Sequence, residues 1–134
     1  MNIAIYTVLM INLLDYCIGR VRCVFSLPPA SERLFTPLAA PSHLAYVEWF
    51  TPFSKLKPGQ HHGLYTVSRI LTNGIVRASI IPVTLIEASA HLIPKCGPVA
   101  PREWKSSNVL DLATSFYVNS FSIRHMYLTM ATQL

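Results

Sequence analysis

The stretch R-A-S-I-I-P-V-T-L-I-E-A-S-A-H-L-I-P-K-C-G, Arg77 to Gly97, decides how the remainder of the chain is read. Its apolar run is too short to cross a membrane and too interrupted by proline for one long helix, which leaves a buried β element. Ala78 to Ile81 reads as a strand, Pro82 opens a short helical step over Val83 to Ala88, and His91 to Ile93 reads as a second strand ended by Pro94 and Gly97.

Working outward, the 134 residues make one domain, long enough to bury roughly two-thirds of the unfolded surface. Ten prolines against five glycines cut the chain into short segments, which suits a β fold better than a helical bundle. Hydrophobic residues are 51% and charged residues 13% of the chain, against an average of about 25% charged, so low solubility in isolation is expected.

On the N-terminal side, Met1 to Leu14 is an apolar run ended by Asp15, with no Lys or Arg before it. It lacks the basic start of a secretory signal and the length of about 20 residues that a spanning helix needs. It is taken as an apolar segment over residues 1–18 ahead of a β domain over 19–134, with membrane association or a buried first element as its roles. Arg20 to Leu27 alternates, placing Val21, Cys23, Phe25 and Leu27 on one face; Pro28 and Pro29 end it, and Ala30 to Ser42 is expected to be irregular. Leu44 to Phe50 is rich in aromatic and β-branched residues, with Ala45, Val47 and Trp49 sharing one face and Tyr46 and Glu48 the other. Leu64 to Leu71 is a third strand, and Asn73-Gly74 predicts a tight hairpin into a fourth that begins at Ile75.

On the C-terminal side, Ser106 or Ser107 caps a short helix from about Asn108 to Ala113, with Asp111 near its positive end. Ser115 to Asn119 returns to strand character, and Ser122 to Leu134 is ambiguous. The fold class that results is mainly β: a small, partly open SH3-like or BAH-like barrel of five to seven strands with one short helix.

Chemistry-bearing patterns are few. The six acids, Asp15, Glu32, Glu48, Glu87, Glu103 and Asp111, are scattered, which disfavours paired-carboxylate and two-metal chemistry. No nucleophile elbow accompanies the serines, His91, His125 and Asp111, and the glycines make no phosphate loop. His61-His62 lacks further ligands at metal-binding spacing, and Cys17, Cys23 and Cys96 have no C-x-x-C spacing and an odd count. No catalytic residue, metal or cofactor is expected. Net charge is +5 from an ordinary eleven Lys and Arg, and the bases form no run. Two non-catalytic sites are candidates. Arg20, Arg22, Lys55, Lys57 and Arg69 would contact a DNA backbone or a partner, whereas Tyr46, Trp49 and Tyr65 would form an aromatic cluster for a peptide or a methylated lysine.

The strings G-R-V-R-C-V-F-S-L-P-P (19–29), L-A-Y-V-E-W-F-T-P-F (44–53), G-L-Y-T-V-S-R (63–69), A-S-I-I-P-V (78–83) with H-L-I-P-K (91–95), and W-K-S-S-N-V-L-D-L (104–112) with F-Y-V-N-S-F (116–121) together span most of the chain. In order and spacing they resemble the C-terminal region of proteins encoded by transposable elements of mushroom-forming fungi, of the Plavaka-type transposase-associated kind. The resemblance implies an accessory β module acting in the nucleus, bound to DNA or a nuclear protein, without the transposase's carboxylate triad. Arg124 departs from that pattern, which has an acidic residue there, and residues 1–14 have no counterpart in it.

Overall fold

The computed structural model describes residues 8–12, 16–35, 41–54 and 64–119. Ten strands occur among them: β1 (Val8–Asn12), β2 (Tyr16–Phe25), β3 (Leu44–Trp49), β4 (Tyr65–Ser68), β5 (Leu71–Thr72), β6 (Ile75–Val76), β7 (Ala78–Pro82), β8 (Ile86–Ser89), β9 (Leu92–Pro94) and β10 (Ser115–Val118). The one α-helix, α1, is Val109–Leu112. The chain is therefore mainly β, as its segmentation predicts, with one short α-helix and more and shorter strands than the expected five to seven among the described residues. Its sheets do not close into a barrel.

The main sheet has the order β7-β3-β2-β1-β8, antiparallel throughout. Its edge strands β7 and β8 are consecutive in the chain, joined by the 3₁₀ turn Val83–Leu85. In a flat sheet the outer strands of five would lie about 19 Å apart. The four steps from Pro82 to Ile86 reach at most about 14 Å. The sheet must curl, and its inner face gathers Ile11, Val21, Ala45, Val47 and Ile81, with Trp49, Val83, Leu85 and Ile86 packed against them. Gly19 leaves room for the inner packing, because a Cβ there would run into the side chains of Val47 and Ile11.

The outer face of β2 is covered by the second sheet, β4-β10-β9, and by α1. Ile18, Phe50, Val67, Ala90, Ala113, Phe116 and Val118 form this second core, in which the Phe50 and Phe116 rings meet edge to face at 5.7 Å. The chain passes from one sheet to the other just after β3. The Phe50 N–H donates to the Ile18 carbonyl, and the N–H groups of Thr51 and Ser54 donate to Ser68 and Thr66 of β4.

Several local expectations change. The strand around Arg20 starts earlier, at Tyr16, and a bulge at Arg22 sets both Arg22 and Cys23 opposite Tyr46, so Cys23 turns outward instead of sharing the face of Val21. That strand also crosses the boundary expected after residue 18, and Val8–Asn12 of the N-terminal run lies between β2 and β8. Pro29–Phe35, expected to be irregular, is a 3₁₀ helix, a conformation that proline's fixed φ favours at its first position. The helical step after Pro82 lasts three residues, and Ile86–Ser89 is strand. The strand expected over Leu64 to Leu71 breaks at Arg69 and Ile70. Its first half pairs with β10, while its second half enters the hairpin β5-β6, where Asn73 (φ 52°) and Gly74 (φ 76°) take the left-handed turn that Asn-Gly predicts. Asn108, not a serine, precedes α1. Its side chain accepts from the Lys105 N–H and donates to the Glu103 carbonyl, bracing the loop in front of the helix. Residues 122–134, and with them His125 and Arg124, lie outside the described residues.

Candidate functional site: the Trp49 cavity

Trp49 ends β3 at the junction of the two sheets. Alternation turns it to the inner face with Ala45 and Val47, and its Nε1–H donates to Ser79 Oγ on β7 at 2.6 Å. Its backbone N–H donates to the Arg77 carbonyl, and the Arg77 N–H donates to Ile70, so the hairpin and β7 are tied to the end of β3. Beside this knot lies a cavity of about 360 Å³ lined by Cys17, Trp49, Phe50, Pro52, Ile70, Arg77, Ser79 and Ile81. Small-molecule and side-chain sites fall at about 300–1,000 Å³, with apolar walls and a few placed polar groups. The cavity fits that description.

The five candidate bases do not gather into one surface among the described residues. Arg20 is a bridging residue: its side chain is 13% exposed, and its Nη1 and Nη2 donate to the two oxygens of Asp111 on α1 at 2.5 and 3.4 Å. The Arg20 guanidinium holds the Asp111 carboxyl below its ordinary range, against a smaller opposing effect of burial. Arg20 Nε is buried with no partner among the described residues, and a neighbouring cavity of about 50 Å³ between Arg20, Glu48, Arg69 and Asp111 has room for a bridging water. Arg69 donates from Nε to the Ala113 carbonyl at the end of α1, 2.9 Å away. Arg22 remains at the surface, 3.7 Å from Glu48. Lys55 and Lys57 lie outside the described residues, as do His61 and His62.

The aromatic candidates separate as well. Tyr46 faces outward, opposite to Trp49 on the same strand, and Tyr65 belongs to the second sheet, with its ring 5.8 Å from that of Phe53. Tyr46, Trp49 and Tyr65 therefore do not make one cage, because two of them alternate on β3 and the third packs on another sheet. His91 is exposed at the head of β9, with its Nδ1 3.2 Å from Asn119 Nδ2. Among the described residues no three His, Cys, Asp or Glu side chains converge to hold a metal ion, and no helix is long and apolar enough to cross a membrane.

Sequence reasoning missed Arg77, Ser79, Ile70 and Pro52. A signal was present: Arg77, Ser79 and Ile81 are spaced by two, so a cation just ahead of β7 is followed by a hydroxyl and an apolar side chain at alternate positions on it. What the spacing lacks is the knowledge that Trp49 stands opposite. Comparison with known proteins finds no match to a family model, to a curated protein or to a solved structure.

Proposed function

We propose that this chain is a non-catalytic interaction module of a mobile-element-derived protein, and that it holds a segment of a protein partner at the Trp49 cavity. The observation that carries the reading is the cavity itself: about 360 Å³ of mostly apolar space with Arg77 and Ser79 as its polar side chains at the start of β7. The resemblance of the strand strings to an accessory region of fungal transposable-element proteins supports the same class. A protein partner is favoured over a DNA backbone because Arg20 is half of an ion pair with Asp111 and Arg69 is turned toward the Ala113 carbonyl, so the candidate bases do not form one surface for phosphates.

Panning a random dodecamer peptide library against the folded chain tests this reading. Enriched peptides should shift the Trp49 indole N–H resonance, and Trp49→Phe, which keeps an aromatic ring but loses that N–H and part of the indole's bulk, should weaken them. If no peptide perturbs Trp49 and the chain is instead retained on duplex DNA with an affinity that falls steeply with salt, the partner is nucleic acid.

A further inference from the structure

The polar side chains on the cavity wall favour one sign of ligand. Arg77 is exposed and its guanidinium has no carboxylate partner among the described residues. Ser79 Oγ accepts the Trp49 N–H, which leaves the hydroxyl's own hydrogen to donate. No Asp or Glu among the described residues lines the space. A cationic fork and a hydroxyl donor, two residues apart on one chain and beside an apolar wall, call for an acceptor carrying negative charge that is attached directly to an apolar body.

Resting on the reading of the chain as a protein-binding module, we infer that the Trp49 cavity captures the C-terminal residue of a peptide partner, with its carboxylate on Arg77 and Ser79 and its apolar side chain against Trp49, Phe50 and Ile70. In a C-terminal residue the carboxylate and the side chain leave the same Cα, and that adjacency is what the wall offers. An internal Asp or Glu brings a carboxylate without an apolar body. A phosphorylated side chain brings nearly two charges and three acceptor oxygens, more than one guanidinium and one hydroxyl satisfy. Arg suits the task better than Lys because its planar fork meets both carboxylate oxygens at once.

Three probes test this on the full chain, followed through the Trp49 indole N–H in two-dimensional NMR: acetyl-Gly-Gly-Phe with a C-terminal carboxylate, the same peptide as its C-terminal amide, and N-acetylphenylalaninate. The acid peptide is expected to bind about ten- to a hundredfold more tightly than the amide, the size of one charge-assisted hydrogen bond. Arg77→Gln should erase that preference, and Arg77→Lys should keep part of it. The acid–amide comparison needs no variant, so it decides even if a substitution disturbs folding. Equal binding of acid and amide at Trp49 overturns the carboxylate assignment while leaving a peptide-binding module. Binding of N-acetylphenylalaninate with exclusion of both peptides overturns the peptide source in favour of a small hydrophobic acid. Absence of any Trp49 shift with all three probes, while library peptides do shift it, overturns the C-terminal assignment alone; absence with library peptides too removes the module reading itself.

Discussion

The two faces of β2 bury different kinds of core. On the inner face, Gly19 and Val21 meet Val47, Ala45, Ile11 and Ile81, all small or aliphatic side chains packed inside a curled sheet. On the outer face, Ile18 meets Phe50, Val67, Phe116 and Val118, and beside them Arg20 reaches across to Asp111. The inner core is closed by curvature and leaves no free space for a Cβ at Gly19. The outer core is closed by a second layer, filled by rings and held at its border by polar contacts. A sheet that curls over a glycine and docks a second sheet over aromatic residues uses one strand for both, so damage to either face should be felt at the Trp49 junction between them.

The contrast is tested most severely by Phe116→Ala. Phe116 is fully buried, and it stacks edge to face on Phe50 next to Trp49. Truncation should cost about 3–5 kcal/mol, a large part of the stability of a domain of this size, and urea unfolding should show it as a lower midpoint. Gly19→Ala probes the other face. The added methyl group would press on Val47 and Ile11 inside the curl, for a cost of about 1–3 kcal/mol. Combining it with Val47→Ala should recover part of that loss, which a purely conformational penalty would not allow. Gly74→Ala separates the two mechanisms. Nothing lies within 4 Å of a Cβ at Gly74, but its φ of +76° is strained for any L side chain. A cost of about 1 kcal/mol is expected, and no substitution elsewhere should rescue it.

How much of this was legible follows from which interactions are local. The alternation of Ala45, Val47 and Trp49 shows in the sequence because one strand's period writes it, and the Asn73-Gly74 turn shows because two adjacent residues decide it. The bulge at Arg22 was not legible: it depends on how β2 accommodates the curl against β3, and alternation alone assigned Cys23 to the wrong face. The break at Arg69 was hidden for a similar reason. Leu64 to Leu71 reads as one strand, yet its first half is claimed by β10, some fifty residues away, and Arg69 by the carbonyl of Ala113. The site suffered most. The candidate bases were named from the sequence without their partners, whereas Asp111, ninety-one positions from Arg20, decides what Arg20 does.

The smallest expected effect lies at that border contact, and it carries a pH signature. The Arg20 hydrogen bond lowers the Asp111 pKa in the folded chain from its ordinary 3.8, with burial opposing and Arg22 and Arg69 adding attraction. A carboxylate with a lowered folded pKa binds fewer protons folded than unfolded. It therefore contributes stability that is complete above the unfolded value and is lost as pH falls through the folded one. The Asp111 side chain is 56% exposed, so solvent screens the pair and the contribution should stay below about 1 kcal/mol. Asp111→Asn should thus be slightly less stable than the parent at neutral pH, and the difference should shrink as pH drops below about 4. A stability gap that persists unchanged at pH 2 would mean that Asp111 acts through shape and hydrogen bonding at the head of α1. The border of the outer core would then be held by packing, like the inner one.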